Sequence, residues 1–331
     1  MGRGLRQRPF FLPMNRTFFG RLSARGKPPG WLAVELGEDS VSLAHVVPNG
    51  GQPAVEFAEE RSWDAADPKS LEQVVREFGV KRFQCTTLLR PDQYQILLVE
   101  APAVKPEELK SAVRWRIKDL LDYHVDDATI DVLDVPVPAG VAQRTHYMYT
   151  VAARNEVIRA TIDRFAAAGM PLAVIDIPDT AQRNIAALLE NDQRAVVTLT
   201  FDTQGGLITV NFNGELYLSR RLDVTLALLA DADGEARERI FDRVLVETQR
   251  SLDHCERTYP FFALGRLAVG PFPGGAGLRE HLAANLYLPL EILDLGQLVR
   301  LPAAARGWTS AQQARWLKLI GAGLRVEKKA L

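Results

Sequence analysis

Two segments of the chain, residues 31–60 and 195–222, follow the same pattern of three short strands joined by two tight turns. The first reads WLAVELGEDSVSLAHVVPNGGQPAVEFAEE and contains an Asn-Gly-Gly turn at 49–51. The second reads AVVTLTFDTQGGLITVNFNGELYLSRRL, with turns at Gln204-Gly205-Gly206 and Asn213-Gly214. Apolar runs that end at such turns are typical of antiparallel β-meanders. Because helices and further strands follow each meander, the sequence predicts an α/β protein with two duplicated lobes.

The chain has 331 residues, which is enough for two lobes with a core each. We expect a flexible basic leader over 1–30, a first lobe over 31–190 and a second lobe over 191–331. A small inserted α/β subdomain is expected at about 83–150, around a helix that starts at Pro106. One apolar face of that helix should contain Leu109, Val113, Ile117 and Leu120.

The N-terminal segment is basic and aromatic, and no acid precedes Glu35. Two interpretations stay open for residues 1–27: a flexible leader, or a segment that lies on an anionic membrane surface or docks on a partner. Pro13 and Arg16 interrupt its apolar stretches, which is unlike a signal peptide. Met14 is an alternative to Met1 as the start of the protein.

Composition excludes several classes of function. The net charge of -1 argues against a nucleic-acid partner. No apolar run reaches the roughly 18 residues expected of a membrane-spanning helix. Cys85 and Cys255 are far apart in sequence and are predicted to be buried thiols. The histidines lack the spacing of metal ligands, so no metal site is predicted.

The meander turns are the candidate sites, since the chain lacks the HExxH, GxSxG and Walker A motifs. An acid that precedes a glycine turn can hold a metal or water while backbone amides bind phosphate. The candidate residues are Glu35, Gly37 and Ser40 in the first turn, and Asp202, Gly205 and Gly206 in the second. Each turn also fits an ordinary hairpin. Their equivalent places in the duplicated units favour a nucleotide site.

These features resemble the actin-like ATPase superfamily, and within it the pilus-assembly proteins of the PilM and MshI type. Besides the two turns, the resemblance includes the inserted helix KPEELKSAVRWRIKDLL, the long helix VLVETQRSLDHCER and the loop LAVGPFPGGAGLREHLAANL. It implies an actin-like (ribonuclease H-like) fold. It also implies ATP and Mg as cofactors, with an adenosine loop that contains Gly270, Gly274 and Gly275.

The chain departs from that family at each element of its nucleotide site. Glu35 replaces the aspartate of the first Asp-x-Gly loop, and Gln204 replaces the glycine of the second. The adenosine loop reads Gly270-Pro271-Phe272-Pro273, where Phe272 is expected to fill the space of the purine. These departures predict a degenerate site, with nucleotide as a structural ligand or absent.

The resemblance implies a binding function in a type IV (MSHA-type) pilus or related secretion apparatus. The partner would be the cytoplasmic tail of a bitopic, PilN-like membrane protein, and the chain would be cytoplasmic and peripheral on the inner membrane. Arg114, Trp115 and Lys118 are the candidate partner-binding residues, although a solvated face fits the two cations and packing between subdomains fits Trp115. The alternative is an active ATPase or a small-molecule kinase, with Asp176 as the best-placed base.

Overall fold

A computed structural model describes residues 27–326 except 65, 139, 142–144, 192 and 232. These residues form two five-stranded sheets and one three-stranded sheet. Residues 1–26 of the predicted leader, which include Met1 and Met14, lie outside the described residues.

The elements around the first large sheet are β1 (Trp31–Leu36), β2 (Ser40–Val47), β3 (Ala54–Ser62), α1 (Pro68–Glu77), β4 (Cys85–Leu88), α3 (Asn155–Ala167), β8 (Leu172–Asp176) and α4 (Pro178–Ala187). The sheet has the strand order β3-β2-β1-β4-β8. Strands β1 to β3 form the predicted antiparallel meander, and β4 and β8 extend the sheet in parallel from β1.

The elements around the second large sheet are β9 (Ala195–Asp202), β10 (Gly205–Phe212), β11 (Glu215–Leu222), α5 (Leu226–Asp231), α6 (Gly234–Thr258), β12 (Leu264–Val269), α7 (Ala276–Asn285), β13 (Leu290–Ile292), α8 (Leu295–Leu298) and α9 (Ser310–Gly323). This sheet repeats the arrangement of the first, with the order β11-β10-β9-β12-β13 and the same strand directions. The predicted duplication is therefore confirmed.

The central strands are covered on both faces, as the alternation of β1 shows. Leu32 and Val34 pack in a core cluster with α1 and α3, whereas Ala33 packs on the opposite face with α4 and α9. The two free thiols, Cys85 and Cys255, are buried as predicted. Burial raises the pKa of both thiols to about 12.

Helices α4 and α9 lie between the two large sheets. Helix α9 packs mainly on β1, β2 and β4, and α4 packs on β9, β10 and β11. The two helices also pack on each other. They approach so closely that a Cβ atom on Gly321 would lie 2.4 Å from the carbonyl oxygen of Ala181. Helix α9, which is the last helix of the described residues, thus completes the core of the first lobe.

The inserted subdomain consists of β5 (Tyr94–Glu100), α2 (Pro106–Ile117), β6 (Ala128–Val135) and β7 (Tyr147–Arg154). Its sheet has the order β5-β7-β6, with all neighbours antiparallel. Strand β4, which the sequence placed inside the insertion, pairs instead with β1 and β8 of the first sheet.

One prediction about the inserted helix is wrong. Val113 and Ile117 are fully buried against the three-stranded sheet, as expected. Leu120 follows the end of α2 and is 55% exposed. The helical spacing from Ile117 to Leu120 has no effect because the helix does not continue that far.

Candidate functional site

A cavity of about 640 Å³ lies between the lobes. Its walls come from both predicted phosphate turns, from the chain between β4 and β5, from α3 and from α9. Of the predicted nucleotide residues, Glu35, Gly37 and Asp202 line it. Ser40, Gly205, Gly206, Gly270, Gly274 and Gly275 are not among its lining residues.

The second turn is closed by hydrogen bonds within the chain. The Asp202 carboxylate accepts a hydrogen bond of 2.7 Å from the backbone N–H of Gln204, an amide that a phosphate would otherwise need. Gly205 has a φ of +137°, and a Cβ there would lie 2.6 Å from the Leu222 carbonyl oxygen. The glycine is thus required by the approach of β11, which is a reason independent of phosphate binding.

The first turn is also closed by hydrogen bonds within the chain, here between backbone groups and from an arginine side chain. The N–H of Gly37 donates to the carbonyl of Ser40 at 2.8 Å. Arg164 of α3 donates through Nη2 to the carbonyl oxygens of Leu36 and Gly37, at 2.9 and 2.8 Å. The turn therefore presents its carbonyl oxygens to a cation from the protein itself.

Helix α9 supplies a cation to each of the two acids. Arg315 Nη1 lies 2.6 Å from Glu35 Oε2, and its Nη2 donates to Ser42 Oγ at 2.7 Å. Lys318 Nζ forms an ion pair with Asp202 across the lobes, and its side chain is only 16% exposed. Burial lowers the pKa of Lys318, and the Asp202 carboxylate opposes that shift.

Arg164, Arg315 and Lys318 are site residues that the sequence interpretation missed. Arg315 and Lys318 are three residues apart in SAQQARWLKLIGAGLR, so they occupy one face of a helix. The apolar residues Trp316, Leu317, Leu319 and Ile320 surround them in sequence. Basic residues at helical spacing within such an apolar segment were the available signal for the ion pairs that α9 forms with Glu35 and Asp202.

The loop compared with an adenosine loop is packed as part of the second lobe. Phe272 is buried in the core, with its ring centroid 5.3 Å from that of Phe201. It does not line the cavity, whereas Pro273 does. The N–H of Gly270 donates to the Leu199 carbonyl at 2.7 Å, and Gly274 and Gly275 lead into α7.

The carboxylate of Asp176, the candidate catalytic base, forms an ion pair and hydrogen bonds within the protein. Its carboxylate lies 2.7 Å from Arg325 Nη1, and it also accepts hydrogen bonds from the Ile177 N–H and the Thr180 hydroxyl at the start of α4. Glu247 in the long helix α6 pairs with Arg220 and Arg250 and does not line the cavity. Neither Asp176 nor Glu247 is among the lining residues of the cavity.

These contacts do not fit Mg-ATP. Binding it would require carboxylates that are free to hold the hydrated metal and turn amides that are free to donate to phosphate. Both carboxylates are paired with α9, and one backbone amide of each turn, that of Gly37 and that of Gln204, donates within its own turn. Over the described part of the chain, no cluster of three or more His, Cys, Asp or Glu side chains could hold a metal ion.

The three predicted partner-binding residues have different environments. Arg114 donates to the carbonyl oxygens of Val125 and Ala128, at 2.6 and 3.3 Å, and so fixes the chain before β6. Trp115, for which packing between subdomains was the favoured interpretation, is 72% exposed. Lys118 Nζ lies 5.1 Å from the centroid of the Trp115 ring. Trp115 and Lys118 therefore form an exposed pair on the inserted subdomain.

No protein-family model and no curated protein sequence matches the chain. Solved structures do match it. A structure described as the PilM-PilN type IV pilus biogenesis complex aligns with a TM-score of 0.66 at 18% identity, covering 91% of this chain and 98% of that one. An actin-like ATPase fold protein of unknown function from Bacteroides thetaiotaomicron aligns with a TM-score of 0.46, at 11% identity over 83% of this chain and 93% of its own. The cytoplasmic domain of EpsL, an inner-membrane component of the type II secretion system of Vibrio cholerae, aligns with a TM-score of 0.44, at 15% identity over 88% of this chain and 94% of its own.

The match to the PilM-PilN structure includes almost the whole of both chains, and the two large sheets repeat one topology. In the described residues, no helix is long and apolar enough to cross a bilayer. The chain has the actin-like fold with duplicated lobes and an inserted α/β subdomain, in the form similar to PilM.

Proposed function

We propose that this protein is an assembly protein of a type IV pilus, of the MSHA type, or of a related secretion apparatus. In this proposal it is a scaffold that binds the cytoplasmic tail of a PilN-like membrane protein. The observation that carries the proposal is the match over 91% of the chain to the PilM-PilN complex. The degenerate nucleotide site supports a binding role, because its acids are paired with α9.

We place the tail on the inserted subdomain, near the exposed pair of Trp115 and Lys118. Exposed tryptophan is uncommon on surfaces without a partner and is enriched among residues that dominate binding energy. Arg114 holds the Val125 and Ala128 carbonyl oxygens, so in this proposal it positions the chain before β6 beside the exposed pair.

Binding of a synthetic tail peptide from the PilN-like protein of the same cell tests this proposal. Trp115→Ala should weaken binding about tenfold or more in fluorescence anisotropy. Tyr287→Ala is the matched control, since Tyr287 is a large aromatic residue that is 62% exposed on the second lobe. The proposal would be contradicted if the unmodified protein did not bind the peptide. It would also be contradicted if the unmodified protein, Trp115→Ala and Tyr287→Ala bound the peptide with equal affinity.

We further propose that the chain is cytoplasmic and peripheral on the inner membrane, with residues 1–27 in contact with anionic lipid. Support comes from the arginines of this segment and from the absence of acids before Glu35. Removing residues 1–27 should reduce co-sedimentation with vesicles that contain anionic lipid, and neutral vesicles serve as the control. Unchanged co-sedimentation would contradict the membrane contact and leave the tail-binding proposal unaffected.

A further inference from the structure

The inserted subdomain belongs to the first half of the sequence, but one face of its sheet packs against the second lobe. Side chains alternate between the two faces of a strand. On one face, Met148 and Ala152 of β7 pack with α2 of the subdomain itself. The opposite face, which we call the docking face, packs in the hydrophobic core of the second lobe. The docking face consists of Ile96, Leu133, Val135, Tyr147 and Tyr149.

The hydroxyl of Tyr149 takes the place of a neighbouring strand at the outer edge of β11. Strand β11 pairs with β10 and is the last strand of its sheet. The Tyr149 hydroxyl donates to the carbonyl oxygen of Tyr217 at 3.2 Å and accepts from the N–H of Ser219 at 3.1 Å. A neighbouring strand would offer this edge one N–H and one C=O, and here one hydroxyl supplies both functions. Burial raises the pKa of Tyr149, so the hydroxyl keeps its proton.

Two further contacts join the same strand edge to the subdomain. The Tyr217 hydroxyl donates to the carbonyl oxygen of Pro136, directly after β6, at 2.8 Å. Arg221 donates to the hydroxyl of Tyr94 in β5. Tyr217, Ser219 and Arg221 are alternate residues of β11. The subdomain therefore follows this edge from Tyr217 to Arg221.

The interface also buries a hydroxyl that would gain from contact with water. The ring centroid of Tyr259 lies 5.2 Å from that of Tyr217. The Tyr259 hydroxyl is buried and has no hydrogen-bond partner among the described residues. A buried hydroxyl without a partner destabilises the docked arrangement, and undocking would return it to water. The docked arrangement is therefore stabilised by less than its apolar contacts alone would give.

We propose that the inserted subdomain is a hinged cover of the β11 edge, which undocks as a unit while both lobes stay folded. Its chain connections, before β5 and after β7, both lead to the first lobe and do not prevent separation from β11. The lobes stay joined by the packing of α4 on α9. When docked, the cover keeps an open strand edge from pairing with another chain. When undocked, it exposes that edge to extended peptide segments.

The labelling rate of a buried thiol measures undocking in the full chain. Val135→Cys places a thiol on the docking face, at a position that is 1% exposed. Cys85 lies in a core cluster of the first lobe, so its labelling reports global unfolding. Mass spectrometry measures each thiol separately, relative to its rate in the unfolded protein. We expect the introduced thiol to react about tenfold or more faster than Cys85, because undocking does not require unfolding of the lobes.

Tyr149→Phe, added to Val135→Cys, should raise the labelling rate of the introduced thiol about tenfold or more. The change removes two hydrogen bonds of the docked arrangement and keeps the buried ring. The labelling rate of Cys85 should not change. Tyr147→Phe is the matched control, since the Tyr147 hydroxyl is on the same face and has no hydrogen-bond partner among the described residues.

Faster labelling of the introduced thiol than of Cys85, raised by Tyr149→Phe and unchanged by Tyr147→Phe, supports the proposal. Equal rates for the introduced thiol and Cys85 would overturn it, because the docking face would then open only when the protein unfolds. Equal rates in Tyr149→Phe and Tyr147→Phe would overturn it as well. If Val135→Cys does not fold, hydrogen exchange of β11 compared with β9 in the two tyrosine variants decides the question, with faster exchange of β11 alone expected in Tyr149→Phe.

Discussion

Asp179 shows how a single buried charge joins the three parts of this molecule. Its side chain is fully buried at the start of α4. It accepts hydrogen bonds from the hydroxyls of Tyr94 in the inserted subdomain and Ser219 in the second lobe, and Arg221 lies 3.2 Å away. Burial, followed by the charge of Asp179, raises the pKa of Tyr94, so the phenol stays a neutral donor. A buried carboxylate with this many donors favours one docking geometry of the three parts.

The sequence could not have revealed this network. Tyr94 and Asp179 are 85 positions apart, and Arg221 is 42 positions beyond Asp179. At the start of a helix, an aspartate ordinarily interacts with the helix dipole and solvent. Its partners depend on how the lobes pack, which periodicity does not encode. The same reason applies to Lys318 and Asp202, which are 116 positions apart.

His45 should make stability depend on pH near neutrality. It is buried in β2, with its ring centroid 4.6 Å from that of Phe83 and its Nε2 3.1 Å from the Pro29 carbonyl. Burial lowers its pKa below 6.5, opposed by the Pro29 hydrogen bond and by Glu56. Because the folded pKa is lower than the unfolded one, the unfolded state takes up the proton first as the pH falls. His45 therefore makes its full contribution to stability above pH 6.5. That contribution is lost as the pH falls from the unfolded-state pKa to the lower folded-state pKa.

Thermal unfolding of the unmodified protein and of His45→Gln between pH 8 and 5 measures this contribution. The slope due to His45 cannot exceed about 1.4 kcal/mol per pH unit. The glutamine side chain of the variant does not titrate, so the stability of the variant should fall less steeply below pH 6.5. His254 also has a pKa lowered by burial, and comparing the two proteins cancels its effect because both contain it. Parallel pH profiles would show that His45 does not contribute.

At the scale of elements, the crossing of α4 and α9 was less predictable than the strands. Each meander pairs strands that are neighbours in sequence, across turns such as Asn213-Gly214. The pattern of apolar runs and turn residues was therefore enough to predict both meanders. Helix α9 was identified as a helix, but its place against β1 and β2 was not. Gly321 and Gly323 allow α9 to lie close to α4 and β2, but the sequence alone does not show which elements those glycines face.

Replacing Gly321 with valine should separate this helix pair. A Cβ atom at this position would lie 2.4 Å from the Ala181 carbonyl oxygen. Because the clash is with the backbone of α4, a side-chain movement cannot relieve it and the two helices must move apart. Overpacking of this kind costs about 1–3 kcal/mol or more, so we expect a drop in Tm of several degrees by scanning calorimetry. Gly307→Ala is the control, since a Cβ atom on Gly307 would meet no other atom within 4 Å. Equal Tm values for the two variants would mean that the crossing tolerates a larger separation.

At the scale of the whole molecule, the hydrophobic cores do not separate where the two halves of the sequence meet, since one core takes residues from both halves. One core cluster combines Ala33 and Val46 of the first sheet with Ile185 of α4 and with Trp316 and Ile320 of α9. The face of the first sheet that bears Ala33 is therefore covered by α9, which belongs to the second half of the sequence. The first half, residues 27–190, contains the whole first sheet but lacks this covering helix.

We therefore expect residues 27–190 expressed alone not to fold cooperatively. The missing helix leaves an apolar sheet face exposed to water, which removes much of the favourable burial for that lobe. The fragment should bind the dye ANS and show no sharp transition in calorimetry, whereas residues 27–326 should show one. Adding residues 191–326 as a second chain should restore the transition, because those residues include α9. A fragment 27–190 with dispersed NMR signals and a sharp unfolding transition would show that the first lobe is stable without α9, and that the helix between the sheets joins two independent domains.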